Sequence, residues 1–412
     1  MKRVVVLGST GSIGESALNV AEALPEVIKI TGLAARSNVA RLIDQALQFD
    51  VGVIAVADLA AALQAEALAR PHGIEVWAGD EGVAALAAQA GADIVCCAWV
   101  GLAGLRPILA AMAAGHDVAL ATKEVLVAAG ELVMRRRAEA QINMLPIDSE
   151  HSALFQCLQS AFYVPACVRQ TQSAKSGTAM GAYCAPKNAE DYIEGLILTA
   201  SGGPFSARPE VDFNKVTPQE ALAHPRWQMG RKVTIDSATM MNKGFEVLEA
   251  GWLFNIPIEK ISVTVHPESI VHSLVTFVDG STLAQLSDPD MRIPIQVALT
   301  WPERFKTRVP MLDLARQKQL SFSEPDLKRF PCLRLVREAA QAGGTLPAVL
   351  NAADEVAVEA FLQGRITFAG IWQILERVML AHEVGVCSDF EAVFEADAWA
   401  RKCAGKLCGM EI

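Results

Sequence analysis

Asp148 and Glu150 flank Ser149 directly after the apolar run Leu145-Pro146-Ile147. Two carboxylates held that close repel each other, and a cation between them relieves the repulsion. Side chains two apart on an extended segment point the same way, which suits shared ligation, although an isolated pair of this kind is more often a solvated loop. An all-oxygen donor set favours Mg²⁺ or Mn²⁺, with Co²⁺ admissible. A third carboxylate lies in the stretch Asp236 to Glu246. If this stretch is helical from about Thr239, then Asn242, Lys243 and Glu246 share one face at three- and four-residue spacing. That face offers two donors to a phosphate and one carboxylate to the cation. The same pattern by itself also describes a surface helix with a Lys243–Glu246 ion pair.

Other segments have the chemistry of an anion site. Thr199-Ala200-Ser201-Gly202-Gly203-Pro204 puts the Ser201 hydroxyl in a glycine-rich turn that can expose backbone N–H groups. Ser237 lies just ahead of the Asn242-Lys243 pair. His224-Pro225-Arg226-Trp227-Gln228-Met229-Gly230 combines an imidazole, an indole and a thioether in a loop bounded by Pro and Gly, a composition suited to a lid that excludes water. His266 and His272 sit in strand-like apolar surroundings and read as structural.

A nucleotide site is marked near the start of the chain. Gly8-Ser9-Thr10-Gly11-Ser12-Ile13-Gly14 follows a strand-like run and opens a helix-like one. The glycines permit a tight turn, and a helix N-terminus presents free N–H groups to a pyrophosphate, so Thr10, Gly11, Ser12 and Ile13 are candidate dinucleotide contacts. NAD-binding sites usually carry an acid at the end of the second strand, for the ribose 2′-hydroxyl. Here that strand ends Ala34-Ala35-Arg36-Ser37-Asn38. A guanidinium and two hydrogen-bonding side chains suit the 2′-phosphate of NADPH.

The elements that must position these groups follow from periodicity. Apolar runs at Val4 to Leu7, Ile28 to Leu33, Gly52 to Val56, Ile74 to Trp77, Ile94 to Ala98, Val118 to Ala121 and Ile142 to Ile147 alternate with Ala-rich helical stretches. Such alternation means an α/β fold with a doubly wound, Rossmann-type parallel sheet, expected over residues 1–147. Residues 148–298 carry most of the polar motifs and read as a second α/β or α+β catalytic domain. A Pro- and charge-rich linker is expected over 299–331. Helical periodicity in Leu333 to Ala340, Leu346 to Leu362 and Ile371 to Ala381 gives a small helical domain over 332–412. The stretch Ser160 to Ala189, rich in Gly, Ser, Ala, Pro and Lys, reads as an irregular loop.

Composition narrows the function classes. With 412 residues, more than one domain is expected. A net charge of -10 disfavours binding to nucleic acid or to an anionic membrane surface, so an anionic substrate must meet a local cluster of donors. Nine scattered cysteines without a C-x-x-C pair indicate neither a disulfide framework nor a zinc ribbon. The run after Met1-Lys2-Arg3 is too short for a secretory signal and no apolar stretch is long enough to span a bilayer, so a cytoplasmic location is expected.

Taken in order, Gly8 to Gly14, Leu120-Ala121-Thr122-Lys123-Glu124, Leu145 to His151, Leu198 to Phe205, His224 to Gly230, Asp236 to Glu246, His266 to Ser273 and Asn351 to Glu355 resemble the 1-deoxy-D-xylulose 5-phosphate reductoisomerase family along nearly the whole chain. The resemblance implies that Asp148, Glu150 and Glu246 bind the metal. It implies that Ser149, Glu150, Ser201, His224, Ser237, Asn242, Lys243 and Glu246 surround a sugar phosphate. It also places Thr122, Lys123, Glu124, Gly230 and Met291 near NADPH, with Met229 packing close by, and makes the protein a homodimer. Three departures stand out: Thr122 where the family usually has Asn, Arg36-Ser37-Asn38 at the second strand end, and a long Ser160 to Ala189 stretch.

The chemistry implied is a retro-aldol and aldol rearrangement of 1-deoxy-D-xylulose 5-phosphate, then reduction by NADPH to 2-C-methyl-D-erythritol 4-phosphate. Lys123, Glu150 and His224 are the candidate catalytic groups, Glu150 as proton relay and Lys123 as stabiliser of oxyanion charge. Two rival readings exist. Tyr183-x-x-x-Lys187 imitates the Tyr-Lys pair of a short-chain dehydrogenase, although Pro186 makes a loop there. A non-catalytic NADP-binding sensor would need neither three carboxylates nor a phosphate cradle.

Overall fold

The computed structural model describes residues 1–161, 163–164, 182–183, 191–227 and 229–410, with side chains for 1–160, 191–227 and 229–410. Lys187, and most of the Ser160 to Ala189 stretch with it, lies outside the described residues.

All seven expected strands form. They are β1 (Lys2–Leu7), β2 (Ile28–Ala35), β3 (Val53–Val56), β4 (Glu75–Ala78), β5 (Ile94–Cys97), β6 (Asp117–Leu120) and β7 (Met144–Pro146). They make one parallel sheet in the order β4-β3-β2-β1-β5-β6-β7. A parallel sheet is covered on both faces, which is why these strands read as unbroken apolar runs. In β1, Val4 and Val6 enter the core on one face, with helices Ser12–Ala23, Val39–Gln48 and Leu59–Ala69. Val5 and Leu7 enter the core on the other, with helices Gly79–Ala87, Leu105–Ala113 and Glu124–Ala140. Helix Arg292–Thr300, late in the chain, returns to the first of these faces through Ile295, Ala298 and Leu299.

Strand order reverses between β1 and β5, so the crevice for a ligand opens at the carboxyl ends of these strands. A short pair, β8 (Tyr163–Val164) and β9 (Ala182–Tyr183), precedes a second sheet. That sheet runs β11 (Ile261–Val265), β10 (Ile193–Ala200), β12 (Val271–Phe277), β13 (Thr282–Leu286). β11 is parallel to β10 and the other pairings are antiparallel, as a mixed α+β unit requires. Helices Ser149–Ala161 and Met241–Phe254 lie against it.

Four helices close the chain: Cys332–Ala342, Leu346–Leu362, Phe368–Ala381 and Phe390–Leu407, the last beyond the expected set. Phe205, Phe213, Phe361, Phe368 and Trp372 form one aromatic cluster that fastens the second and third of these helices to the segment following β10. No described helix is long and apolar enough to cross a membrane.

Candidate active site

The glycine turn is forced by close backbone packing. Gly8 has a φ of +81°, and a Cβ there would meet the Ala98 carbonyl oxygen at 2.4 Å. A Cβ on Gly14 would come within 2.3 Å of the Gly8 carbonyl oxygen, so only glycine lets helix Ser12–Ala23 start this close to β1. Gly11 caps that helix without a side-chain hydrogen bond, which leaves its first N–H groups open. Ser12, Ile13 and Ser16 line a cavity of about 570 Å³ at the carboxyl ends of the strands.

The other candidate cofactor residues are placed unevenly. Arg36, Ser37 and Asn38 stand exposed after β2. Asn38 accepts a hydrogen bond from the Arg41 N–H at 3.4 Å and caps helix Val39–Gln48, while Arg36 makes no ion pair among the described residues. Thr122 is buried and turned inward, its hydroxyl donating to the Trp99 carbonyl. Glu124 is also buried, facing Lys232 rather than the cavity. Lys123, Gly230, Met229 and Met291 do line the cavity.

The carboxylates converge, though by a different local geometry from the one expected. The chain is not extended through Asp148 to Glu150. Helix Ser149–Ala161 begins immediately, with Glu150 in its first turn and the Asp148 carbonyl accepting from the Ser152 N–H. Glu246 arrives from helix Met241–Phe254, which is separated from helix Arg231–Thr239 by Met240 in the left-handed region, at φ +64°. After that break Asn242, Lys243 and Glu246 do share a face. Carboxylate oxygens of Asp148, Glu150 and Glu246 all lie within 4.8 Å of one another.

Two ammonium groups hold this cage. Lys123 pairs with Asp148 and with Glu246, the latter at 3.2 Å. Lys243 pairs with Glu150 at 2.7 Å and with Glu246 at 2.5 Å, and Asn242 donates to Glu246 at 2.6 Å. Burial opposes the charge on Lys123, but Asp148, Glu246 and Glu249 outweigh it and hold the ammonium well above its usual range. Asp148 is likewise buried, yet the Lys123 ammonium beside it keeps its carboxyl below the usual range. For Glu246 burial and the neighbouring Glu150 win over the two lysines, and its pKa is pushed up to about 7. Three oxygen donors with surplus negative charge fit a hard divalent cation. Behind them, His151 is held neutral by burial and its Nε2–H donates to the Glu246 backbone carbonyl at 2.9 Å, which helps fix the helix bearing that carboxylate.

The opposite wall carries hydrogen-bond donors of the kind an anion needs. Gly202 and Gly203 have φ of +84° and +64°, and a Cβ on Gly203 would strike the Ser237 carbonyl at 2.8 Å. These glycines therefore bring the Ser201 turn against helix Arg231–Thr239. His224 Nδ1 accepts from the Arg226 and Trp227 N–H groups at 3.2 and 2.9 Å, so its proton sits on Nε2 and points at the Ser201 hydroxyl, 3.0 Å away. Burial lowers the His224 pKa and favours this neutral form. Ser149, Ser201, His224, Trp227, Ser237, Asn242 and Lys243 all line the same cavity.

Sequence reasoning missed several lining residues. His266 is structural, accepting from the Ile270 and Val271 N–H groups, donating to the Ser321 carbonyl and stacking on Phe322. His272 is also buried and hydrogen-bonds the Ser287 carbonyl at 3.2 Å, as its structural reading expects, and in addition it lines the cavity beside Ser269. An apolar neighbourhood in sequence gave no sign of that. Asp290 is a further lining residue, fixed by Arg292 at 2.6 Å.

The nucleotide turn and the carboxylate cage open on one cavity, which sets hydride chemistry and metal-assisted carbonyl chemistry on a single small substrate. The class so defined is a metal-assisted oxidoreductase of anionic substrates. Comparison with known proteins makes it specific: the chain belongs to the 1-deoxy-D-xylulose 5-phosphate reductoisomerase family. Residues 4–130 match the model of 1-deoxy-D-xylulose 5-phosphate reductoisomerase, residues 144–254 that of its C-terminal domain, and residues 286–403 that of the DXP reductoisomerase C-terminal domain. The chain is 46% identical to the 1-deoxy-D-xylulose 5-phosphate reductoisomerase of Thermodesulfovibrio yellowstonii over 409 residues, 99% of this chain and 100% of that one. It is 48% identical to the one from Chlorobium chlorochromatii over 404 residues, 98% of this chain and 99% of that one. Among solved structures, it is similar to the Zymomonas mobilis reductoisomerase in complex with NADPH (39% identity, 99% of both chains, TM-score 0.86). It is also similar to a DOX-P reductoisomerase in complex with NADPH, fosmidomycin and magnesium (38% identity, 99% of this chain and 98% of that one, TM-score 0.88).

Proposed function

We infer that this chain converts 1-deoxy-D-xylulose 5-phosphate to 2-C-methyl-D-erythritol 4-phosphate, using NADPH and a divalent cation. The observation that carries the reading is the convergence of Asp148, Glu150 and Glu246 on the cavity that also takes in Ser12 and Ile13. Asp148, Glu150 and Glu246 would hold Mg²⁺ or Mn²⁺, with Co²⁺ a workable substitute. When bound, the cation would polarise the substrate carbonyl and acidify a neighbouring hydroxyl, and NADPH would supply the hydride.

The chain's own residues do the rest. Lys243, Asn242 and Ser237 from helices, Ser201 from a glycine-fixed turn, and the Nε2–H of His224 from the flap supply the donors for the phosphate. Ser149, which donates to Glu150, orients the carboxylate that relays the proton. Lys123 stabilises negative charge as it develops on the substrate oxygen. Trp227 and Met229 close over the substrate and exclude water, while Met291 packs against the nicotinamide.

In this reading Thr10, Gly11, Ser12, Ile13 and the Arg36-Ser37-Asn38 group bind the rest of the NADPH. Thr122 and Glu124 act from behind, by setting the backbone on either side of Lys123. The same reading divides the chain at 1–147, 148–298, 299–331 and 332–412, places it in the cytoplasm and makes it a homodimer. The exposed edge strand β13, with Leu283 and the nearby Val278 open to solvent, supports the last point. Incubation with substrate, NADPH and Mg²⁺ should yield 2-C-methyl-D-erythritol 4-phosphate, identified by mass spectrometry and NMR. Reduction without rearrangement would overturn the assignment.

A further inference from the structure

Outside the cavity, the described residues include a second buried cluster of charge, centred on Lys232. Its ammonium lies 2.7 Å from Asp236, 3.1 Å from Asp354 and 3.7 Å from Glu124, and 5.0 Å from the centre of the Phe245 ring. Asp236, Asp354 and Glu124 are all buried. These groups come from four separate elements: helix Arg231–Thr239, helix Leu346–Leu362 of the C-terminal bundle, the start of helix Glu124–Ala140, and helix Met241–Phe254. Next to Asp354, Glu355 pairs with Arg401 at 2.6 Å and approaches Gly101 on the loop after β5.

The chemistry of the cavity uses none of these groups, yet each stands one step from it. Helix Arg231–Thr239 follows directly on the flap that ends at Gly230. Its residues Val233 and Ser237, one turn apart, line the cavity, while Lys232 and Asp236, also one turn apart, face the cluster. Glu124 follows Lys123, which bridges Asp148 and Glu246. A buried ionic cluster contributes less to stability than apolar packing of the same volume would, but it tolerates displacement poorly because any shift strands a charge. Burial and the repulsion of Asp354 raise the Asp236 pKa well above its usual range, and Lys232, within 3.7 Å of all three carboxylates, is the cation that organises the group.

We propose that Lys232 is a positioning residue for the sugar phosphate. By binding Asp236 along its own helix, and Asp354 and Glu124 across from it, Lys232 fixes the rotation and depth of helix Arg231–Thr239. That helix in turn sets where Ser237 and the flap stand over the cavity. The inference rests on the reading that Ser237 contacts the substrate phosphate.

The test compares Lys232→Met, Lys232→Arg, Asp354→Asn and Ser237→Ala for kcat, for KM with the sugar phosphate as varied substrate, for NADPH affinity and for melting temperature. Lys232→Met should raise the substrate KM and lower kcat, together by on the order of 10- to 100-fold in kcat/KM, as small misplacements of binding groups do. NADPH affinity should hold, and Lys232→Arg should restore most of the loss. A role confined to stability would instead lower the melting temperature and leave the folded enzyme's substrate KM unchanged, which would overturn the proposal. If Lys232→Met does not fold, Asp354→Asn decides: a raised substrate KM supports the proposal and an unchanged one overturns it. Ser237→Ala separates the two levels. If it raises KM while the Lys232 and Asp354 variants do not, the positioning role alone falls; if none of them raises KM, the assignment of Ser237 falls with it.

Discussion

Lys243 pairs with Glu150, 93 positions earlier in the sequence, at 2.7 Å and with Glu246 on its own helix at 2.5 Å, and so ties the first turn of one helix to the first two turns of another. With Lys123 on the far side of Glu246, the cage is charged in both senses, and Glu246 is the member whose protonation is most finely balanced.

That balance gives a pH dependence. Glu246 titrates at about 7 in the metal-free protein against an ordinary 4.5, so between these values the fold holds a proton that the unfolded chain has released. Its contribution to stability is therefore present below the ordinary value and lost as pH rises through about 7. A divalent cation needs the carboxylate form, so the gain in melting temperature on adding Mg²⁺ should grow as pH rises from about 6 to about 8. Thermal melts of wild type and Glu246→Gln with and without Mg²⁺ check this. A gain that is independent of pH in the wild type would contradict it.

Glu246→Gln keeps the side chain's shape and removes one unit of charge from the cage. Metal affinity and turnover should fall together, while NADPH binding survives because the Gly8 to Gly14 turn is built by β1 and its helix. Titration calorimetry with Mn²⁺ and with NADPH separates the two effects. Supplying the branched aldehyde phosphate directly shows whether the reduction step also needs the cation; if it does, the variant is slow on both substrates. Normal turnover with an unchanged metal requirement would show that Glu246 is no ligand.

Arg36 stands exposed just after β2 without an ion-pair partner among the described residues, and the proposed reading gives it the 2′-phosphate of NADPH. NADPH should be preferred over NADH, and Arg36→Ala should erode the preference by about 1 to 3 kcal/mol, the range for a charge-assisted hydrogen bond. Ratios of kcat/KM for the two cofactors measure it. Equal use of both by the unmutated enzyme would contradict the assignment.

Trp227 should report flap closure. Its fluorescence is expected to change when a phosphonate analogue of the substrate binds with Mg²⁺, and Trp227→Phe should abolish most of that change. A signal that persists in the variant would come from another tryptophan.

The sheet is legible in the sequence because buried parallel strands show as apolar runs, and all seven form within a few residues of the expected ends. The convergence of Asp148, Glu150 and Glu246 on one cavity is legible once the three are read together with the family resemblance. What stays hidden depends on side-chain direction and on long-range packing. Thr122 turns inward to the Trp99 carbonyl, Met240 breaks the helix expected to run on from Thr239, and His272 faces the cavity from an apolar strand. Neither Lys232 with Asp354, more than a hundred positions apart, nor helix Phe390–Leu407 gives a local signal.

Whether the carboxylate cage and the nucleotide turn serve one reaction is decided by NADPH oxidation, followed by absorbance, in purified protein stripped of metal by a chelator and supplied with 1-deoxy-D-xylulose 5-phosphate. No turnover is expected until Mg²⁺ or Mn²⁺ is restored, and rapid, substrate-dependent oxidation is expected afterwards. Oxidation that proceeds at the same rate with and without the divalent cation would contradict the shared role of Asp148, Glu150 and Glu246.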